Sequence, residues 1–350
     1  MMKKLFNLSL VMVLALSVVL AGCGKNEEKT TTEGSGTTGE TTKVVKLGMV
    51  TDVGGVNDKS FNQSAWEALQ ALKTEGTAEV QYLQSKSPDN YIPNLNKFVK
   101  DSYDLTWGIG FDLGDAVKEV ADKNPDAKLA IIDGVVDAPN VKSVTFAEHE
   151  GSFLVGVVAG LMTTSDKIGF VGGSKIPVIV RFAAGFEAGV KAVNPDAKVT
   201  INYTGAFDKP DQGKAAAATM YNDGVDIIFH AAGATGTGVF NEATARVKAG
   251  EKVWVIGVDK DQSIEFGDEV TLTSMVKRVD QAVKKVSQEV IDGTFKGGIE
   301  TLTLKDDGVG IADTSSKNVP ADILAKVEEY KAKIVSGEII VPDGEEEEKK

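Results

Sequence analysis

The chain has 350 residues, of which 42% are hydrophobic, and its 38 basic and 51 acidic side chains give a formal net charge of −13. A field of that sign repels phosphate backbones, which excludes nucleic acid polymers as partners. Two histidines and a single cysteine leave too few ligands for a transition-metal site or an intrachain disulfide, so neither a metal nor another cofactor is expected.

The first 22 residues have the pattern of a signal peptide, with Lys3 and Lys4 ahead of an apolar segment at 5–20. The segment Leu20-Ala21-Gly22-Cys23 resembles the lipobox of bacterial lipoproteins, in which the thiol takes a diacylglyceryl group before the peptide is cut. We therefore expect lipid on Cys23 to anchor the mature chain at the extracytoplasmic face of the cell membrane. The alternatives are a simple secretory signal or a transmembrane anchor, for which the apolar segment is short.

Two polar segments flank the remaining chain. Residues 24–43 are rich in Thr, Glu, Gly and Ser, so together with Cys23 they predict a disordered tether over 23–43. The run Glu345–Glu348 predicts a solvated acidic tail over 341–350. The roughly 330 residues that follow the signal are more than one hydrophobic core usually serves, which indicates two lobes.

Between these ends, short β-branched segments alternate with longer segments of helical period. Strands are predicted at 44–50, 79–83, 105–109, 129–133, 141–146, 168–171, 199–203, 227–231, 253–258 and 272–275. Helices are predicted at 60–73, 114–121, 151–162, 178–193, 213–222, 236–247, 280–291 and 321–333. Such alternation is typical of βαβ units, and it predicts an α/β fold with parallel sheets.

Glycine, aspartate and threonine motifs follow several of the predicted strands. In parallel sheets, ligands bind beyond the carboxyl ends of the strands. Motifs of this kind lie at 50–55, 131–134, 231–236 and 256–259. Because these ends meet at one edge of a sheet, the four loops predict the rim of a pocket.

Two glycine-rich segments can be compared with phosphate-binding loops. At 108–114 the third glycine comes one place late for GxGxxG, and the segment 169–175 lacks the Gly-Lys-Ser/Thr ending of a P-loop. Both segments are therefore interpreted as tight turns between a strand and a helix.

An enzyme remains an alternative. Nucleoside hydrolases carry an acidic cluster after their first strand that holds calcium, and Asp52 and Asp58 resemble part of it. Val50 stands where the first carboxylate should be, however, and Asn57-Asp58 replaces a pair of aspartates. Calcium prefers six to eight oxygen ligands, which this loop does not supply.

A more extensive resemblance begins at residues 48–69, GMVTDVGGVNDKSFNQSAWEAL, which are similar to the opening of the basic membrane protein (BMP) family of lipoproteins. Further similar segments are 131–134, 145–160, 168–173, 181–189, 231–236, 257–259, 273–277 and 302–310. Members of this family are substrate-binding proteins of ABC transporters, and purine nucleosides are their best-known ligands.

The resemblance implies a type I periplasmic-binding-protein fold, in which two doubly wound parallel-sheet lobes are joined by a three-strand hinge and close on the ligand. We place the three passes between lobes near Glu148, Thr271 and Gly298. The first lobe would then comprise 44–148 and 272–297, and the second lobe 149–271 and 298–340.

The resemblance also assigns two aromatic contacts. Phe61, in the first turn of a predicted helix, matches a ring that stacks on the purine, although helical spacing would also suit a core residue. Phe207 follows a strand of the second lobe and resembles the opposing ring, with a structural loop anchor as the alternative. Two such rings would hold a base between them.

Polar contacts follow from the same resemblance. Asp259 matches a carboxylate that accepts hydrogen bonds from the ribose hydroxyls, and Lys277 a cation that would keep it ionised; a structural ion pair is the alternative. Asp52 and Asp133 resemble contacts to ribose or base, or else cap helices. Gly233 resembles a position where the backbone approaches the sugar, although a plain turn glycine would look the same.

Asn62, next to Phe61, is a candidate contact to the base edge, with surface exposure as its alternative. The predicted function is capture of a purine nucleoside such as inosine, guanosine or adenosine for an ABC transporter permease, with no catalysis. A receptor for another sugar-like ligand or a signalling furanose, and a calcium-dependent nucleoside hydrolase, are the alternatives.

Overall fold

The computed structural model describes residues 44–344. The predicted signal peptide, Cys23, the tether and the acidic run at 345–350 lie outside the described residues, so those assignments stay predictions. Within 44–344, no helix combines the length and apolar character needed to cross a bilayer.

Strands and helices alternate along the described chain. The strands are β1 (Val45–Thr51), β2 (Ala78–Gln84), β3 (Leu105–Ile109), β4 (Leu129–Ile132), β5 (Val141–Phe146), β6 (Lys167–Gly172), β7 (Lys198–Tyr203), β8 (Ile227–Ala231), β9 (Trp254–Asp259), β10 (Thr271–Lys277), β11 (Gly298–Leu302) and β12 (Val309–Ile311). The helices are α1 (Phe61–Thr74), α2 (Tyr91–Lys100), α3 (Gly114–Lys123), α4 (Glu148–Met162), α5 (Pro177–Val193), α6 (Pro210–Asn222), α7 (Gly236–Lys248), α8 (Ser263–Phe266), α9 (Val279–Ile291) and α10 (Ala321–Val335). Every predicted element is present, with ends that differ by no more than about three residues.

The strands form two six-stranded sheets of matching order. The first sheet runs β11-β5-β4-β3-β1-β2 with all neighbours parallel. The second runs β12-β10-β9-β8-β6-β7, in which only the pair of β10 and β12 is antiparallel. In each sheet the strand order reverses beside its first strand, β1 or β6, and such reversals place ligand sites at the carboxyl ends. The predicted doubly wound α/β fold is confirmed.

Helices cover both faces of the first sheet, which is why its central strands β1, β3 and β4 are buried nearly throughout. Along β1, Leu47 and Met49 pack into one core cluster, whereas Val50 packs into the cluster formed with α2 and α3. On the first of these faces α1 lies beside α9, and the buried Trp107 indole of β3 donates to Ser287 Oγ of α9 at 3.1 Å. Alternation of side chains across the strands thus fills both cores.

Helices α4 and α5 pack in direct contact because glycines lie at their interface. A Cβ atom added at Gly185 would lie 2.1 Å from the backbone oxygen of His149, and one at Gly189 would lie 2.1 Å from that of Phe153. A Cβ at Gly156 would lie 2.4 Å from the Phe186 oxygen. Helix α4 of this pair also packs against β10 and β12 of the second sheet.

The chain passes three times between the sheets, but two passes lie later than predicted. The first follows β5 at Ala147, close to the predicted Glu148. The pass predicted near Thr271 occurs after Lys277, because Thr271 to Val276 pair with β9 in the second sheet. The pass predicted near Gly298 occurs after Leu302, because β11 pairs with β5 in the first sheet. Residues 272–277 therefore belong with the second sheet and 298–302 with the first, which corrects the predicted boundaries.

Candidate ligand-binding cleft

A cleft lies between the carboxyl ends of the two sheets, with about 590 Å³ of empty space that includes its opening to solvent. The cleft wall includes every predicted contact residue: Asp52, Phe61, Asn62, Asp133, Phe207, Gly233, Asp259 and Lys277. The structure thus brings these residues together, while the contact that each makes with a ligand stays a prediction.

The loop that leads into α1 is organised by Asp58, whose side chain is fully buried. Its Oδ1 accepts hydrogen bonds from the backbone N–H groups of Ser60 and Gln63, each at 3.0 Å. Its Oδ2 accepts from the Asn62 backbone at 2.8 Å. Asp58 therefore satisfies free N–H groups at the start of α1, a structural role for a residue that the hydrolase alternative would place on calcium.

Asp52 and Asn62 form a buried polar pair at the cleft. Asp52 Oδ1 accepts from Gly54 N and from Asn62 Nδ2, both at 2.8 Å. Asn62 Nδ2 also donates to Asp58 Oδ2 at 3.0 Å, so its amide orientation is fixed. Its Oδ1 is left buried without a hydrogen-bond partner among the described residues. Asn62 is 1% exposed, which excludes the surface alternative.

Asp133, directly after β4, and Asp259, the last residue of β9, have a strained backbone conformation. Their φ angles are 68° and 64°, in the left-handed region that residues other than glycine seldom adopt. Such strain concentrates at functional sites. Asp133 Oδ1 is buried without a hydrogen-bond partner among the described residues, whereas Asp259 Oδ2 accepts a hydrogen bond from the Ser60 hydroxyl.

Burial dominates the electrostatics of these carboxyl groups. It raises the pKa of Asp52 to about 7 and that of Asp259 to about 7, because the charged form loses its hydration. The hydrogen bond from Asn62 lowers the Asp52 pKa, and the Lys277 charge lowers that of Asp259, but neither effect cancels burial. Lys277 thus favours the ionised form of Asp259, as expected from the sequence, but burial opposes it and has the larger effect on the pKa.

Lys277 is 1% exposed and contacts two carboxylates of other elements. Its Nζ lies 2.6 Å from Asp133 Oδ2 and 3.3 Å from Glu148 Oε1. Burial alone would lower the pKa of Lys277, but the negative charges of Asp133, Glu148 and Asp259 outweigh it and raise the pKa. The ion pair expected as an alternative joined Lys277 to Asp259, whereas the salt bridges of Lys277 in the structure are with Asp133 and Glu148.

Aromatic rings reach the cleft from both sheets. Phe61, half-buried in the first turn of α1, has the Lys277 ammonium 5.1 Å from its ring centroid. Phe207, also half-buried, lies in the loop after β7, and its carbonyl accepts from Thr235 N at 3.0 Å. Gly233 beside it has a φ of 54°, a conformation suited to glycine. Neither phenylalanine is confined to a closed hydrophobic interior.

Other residues of the cleft wall were not predicted from the sequence. Phe111 and Asp112 follow β3, and Ile179 and Phe182 lie in the first turns of α5 after β6. Their position just beyond strand ends is the signal that could have identified them. Burial raises the pKa of Asp112, so another carboxyl group of altered acidity lies at this site.

Comparisons with known proteins identify the same class of protein by sequence and by fold. Residues 45–345 match the model of the Bmp family, described as ABC transporter substrate-binding protein PnrA-like. The CD4+ T-cell-stimulating antigen of Listeria monocytogenes is 46% identical, over 98% of this chain and 99% of its own. The ABC transporter nucleoside-binding protein BmpA of Lactococcus lactis is 41% identical, over 97% and 99% of the two chains.

The fold comparison agrees with the sequence relatives. A crystal structure of an ABC transporter solute-binding protein from Aeropyrum pernix K1 is similar with a TM-score of 0.78 and 30% identity, covering 85% of this chain and 94% of that one. The resemblance drawn from residues 48–69 and the later segments is confirmed. The chain therefore belongs to the Bmp family of ABC transporter substrate-binding proteins.

Proposed function

We propose that the cleft captures a purine nucleoside and delivers it to an ABC transporter permease without making or breaking a bond. The observation that carries this proposal is the convergence, on one cleft, of Phe61 and Phe207 from opposite sheets with the carboxyl groups of Asp133 and Asp259. The name of the Lactococcus lactis relative supports the ligand class.

The aromatic side chains account for recognition of the base. Every purine has a π-face, and stacking of a base on a protein aromatic ring contributes roughly 1 to 3 kcal/mol. Phe61 and Phe207 would enclose the base from the two sides of the cleft. This arrangement requires the two sides of the cleft to close on the base, because Phe61 lies in α1 beside the first sheet and Phe207 lies in the loop after β7 of the second sheet.

The buried polar atoms account for recognition of ribose and the base edge. Asn62 Oδ1 and Asp133 Oδ1 are acceptors buried without a hydrogen-bond partner among the described residues. A buried acceptor left unpaired costs about 1 to 3 kcal/mol, so a ligand that donates to it gains affinity. Nucleosides carry such donors on ribose hydroxyls and on ring or exocyclic nitrogens.

Calorimetry on the purified full-length protein tests the proposal. Inosine, guanosine and adenosine are titrated alongside hypoxanthine and ribose. We expect tight binding of nucleosides and at least about tenfold weaker binding of the free base and the free sugar, since each lacks half of the contacts. Tight binding of ribose that inosine fails to displace would instead favour the sugar-receptor alternative.

The same preparation tests for catalysis. Inosine is incubated with the protein and calcium, and release of hypoxanthine is followed by chromatography. We expect none above a blank, since Asp58 Oδ1 and Oδ2 are already engaged by N–H groups of the α1 turn. Sustained release of hypoxanthine would favour the hydrolase alternative.

We further propose that lipid on Cys23 anchors the protein at the extracytoplasmic face of the membrane. The lipobox pattern supports this, and a transporter substrate-binding protein must stay near its permease. Cells grown with an alkynyl fatty acid should label the wild-type chain but not Cys23→Ser. Equal labelling of both would exclude this anchor.

A further inference from the structure

Gln262 is a fully buried side chain whose hydrogen bonds join the two sides of the cleft. Its Oε1 accepts from Val258 N at 2.9 Å and lies 2.9 Å from His230 Nε2, both in the second sheet. Its Nε2 donates to the carbonyl of Lys59 at 2.9 Å, in the loop that precedes α1 of the first sheet. It is outside the cleft wall, so it acts through other residues.

The orientation of this amide is fixed by its neighbours. A backbone N–H can only donate and a backbone carbonyl can only accept, so Oε1 faces Val258 and the amino group faces Lys59. His230 must then donate through Nε2–H. Burial lowers the pKa of His230 to about 4, which keeps the ring neutral in that role at neutral pH.

The segment that Gln262 holds is the one that places ligand contacts. Lys59 has a φ of 57°, a conformation that costs energy and needs support from its surroundings. The next residue, Ser60, donates to Asp259 Oδ2, and α1 begins at Phe61. The Lys59 ammonium also lies 4.8 Å from the Phe266 ring centroid, a second contact to the opposite side.

Besides the buried Ser60–Asp259 hydrogen bond, an ion pair crosses between the same elements nearer to solvent. Lys260 Nζ pairs with Glu67 Oε1 at 2.8 Å, and Glu67 is 46% exposed. Exposed ion pairs of this kind contribute little. Loss of a buried hydrogen bond instead leaves an unpaired carbonyl, which makes Gln262 the contact with the larger effect on closure.

We propose that Gln262 is a positioning residue, which holds the Lys59-Ser60 turn against the second sheet and thereby stabilises the closed cleft around a bound nucleoside. This inference rests on the proposed function for its ligand. In Gln262→Glu the acceptor oxygen is kept, but a carboxylate oxygen faces the Lys59 carbonyl and repels it. Gln262→Met removes both the donor and the acceptor without adding charge, and Gln212→Glu, at an exposed position of α6, controls for the charge.

The test combines binding with a distance measurement in the full chain. Cys23→Ser removes the native thiol. Nitroxide labels are placed at two exposed positions, Asp89→Cys beside the first sheet and Asp211→Cys in α6 beside the second sheet. We expect Gln262→Glu to bind inosine at least about tenfold more weakly than Gln212→Glu, mainly through faster dissociation. Double electron–electron resonance should show longer or broader distances between the two labels in Gln262→Glu than in Gln212→Glu, both with and without inosine.

A double-mutant cycle separates positioning from general destabilisation. If Gln262 acts by placing Ser60, then Gln262→Met should weaken inosine binding less in a Ser60→Ala background than in wild type. Gln262→Met also replaces Gln262→Glu should the latter fail to fold. Independent effects in the cycle, or binding and label distances of both Gln262 variants equal to those of Gln212→Glu, would overturn the proposal. If the wild type binds no nucleoside, the proposed function fails, and the label distances alone decide the role of Gln262.

Discussion

The hydroxyl of Ser60, just before α1, donates to Asp259 Oδ2 at the end of β9, so one residue of the first half already occupies the carboxylate predicted to bind ribose. Asp259 is 5% exposed and has a pKa raised by burial to about 7. A ribose hydroxyl that reaches Asp259 must share this carboxylate with Ser60. Under the proposed function, ligand binding and closure of the two sides would be linked through this single side chain.

Asp259→Asn should weaken inosine binding by about tenfold or more. The substitution keeps the shape but loses a charge-assisted acceptor for the ribose diol. Binding of 2′,3′-dideoxyinosine, measured by calorimetry at pH 8, should be weak for the wild type and little changed by the substitution. Asp268→Asn, at an exposed salt bridge, is the matched control. Equal losses for both ligands would show that Asp259 does not contact the diol.

Phe61→Ala and Phe207→Ala should each weaken inosine binding by about tenfold, corresponding to the roughly 1 to 3 kcal/mol of one lost stack. Weak binding of ribose, measured in the same titrations, should change much less because a furanose does not need the ring faces. Phe295→Ala, at a half-buried ring outside the cleft, controls for loss of an aromatic side chain. Unchanged inosine affinity in both cleft variants would reject the stacking assignment.

The fold could be predicted because its signals are local and repeated. Apolar strands such as β3 and β8, followed by amphipathic helices, specify parallel sheets wherever they occur. Two missed elements carry that signal less clearly: α2 is amphipathic but contains Pro93, which its first turn tolerates, and β11 is an edge strand with mostly exposed side chains. The boundary errors at Thr271 and Gly298 arose because sheet membership depends on pairing with distant strands.

The residues that line the cleft could be predicted as a set, but not all of the hydrogen bonds and ion pairs among them could. Strand-end position identified Asp52, Asp133 and Asp259, since parallel topology brings such ends together. The hydrogen bonds of Asp58 to the start of α1 are local, and an Asp just before a helix is a signal that could have predicted them. Nothing in the local sequence shows that Lys277 would pair with Asp133, 144 residues away in the chain. That pairing depends on tertiary structure, which also sets the desolvation that alters the pKa values.

The raised pKa of Asp52 predicts that stability depends on pH. The ordinary value is 3.8 and the folded value about 7, so the folded state binds the proton more tightly. The stabilisation is complete below about pH 4 and is lost as the pH rises through 7, at about 1.4 kcal/mol per pKa unit and so at most about 4 kcal/mol. Urea unfolding at pH 4.5, 6 and 8 should therefore show Asp52→Asn gaining stability relative to wild type as the pH rises.

Asp89→Asn, at an exposed position, should follow the wild-type pH profile and serves as the control for that series. An Asp52→Asn profile parallel to that of the wild type would contradict the assignment of a raised pKa to this carboxyl group.

Lys277→Met should destabilise the protein strongly. Lys277 pairs with Asp133 and Glu148 in the interior, and its removal would leave Asp133 without its closest counter-charge, whereas Glu148 would keep its pair with Arg181. Breaking a buried ion pair in this way costs about 3 to 5 kcal/mol. Lys317→Met, which breaks an exposed pair with Asp268, should cost less than about 1 kcal/mol in the same denaturant titration. Similar losses for the two variants would show that the buried cluster is not needed for stability.

Gly189→Ala should separate α4 from α5. The new Cβ would lie 2.1 Å from the backbone oxygen of Phe153, and a backbone atom in a packed helix cannot move aside as a side-chain end can. We expect a loss of about 2 kcal/mol or more in the free energy of unfolding, typical of overpacking. At Gly114, which begins α3, an added Cβ meets no atom within 4 Å, so Gly114→Ala should leave stability unchanged or raise it slightly. Both substitutions add the same methyl group in a helix. A loss of stability confined to Gly189→Ala would therefore assign the effect to the interface between α4 and α5. Equal stability of the two variants would show that these helices can separate without cost.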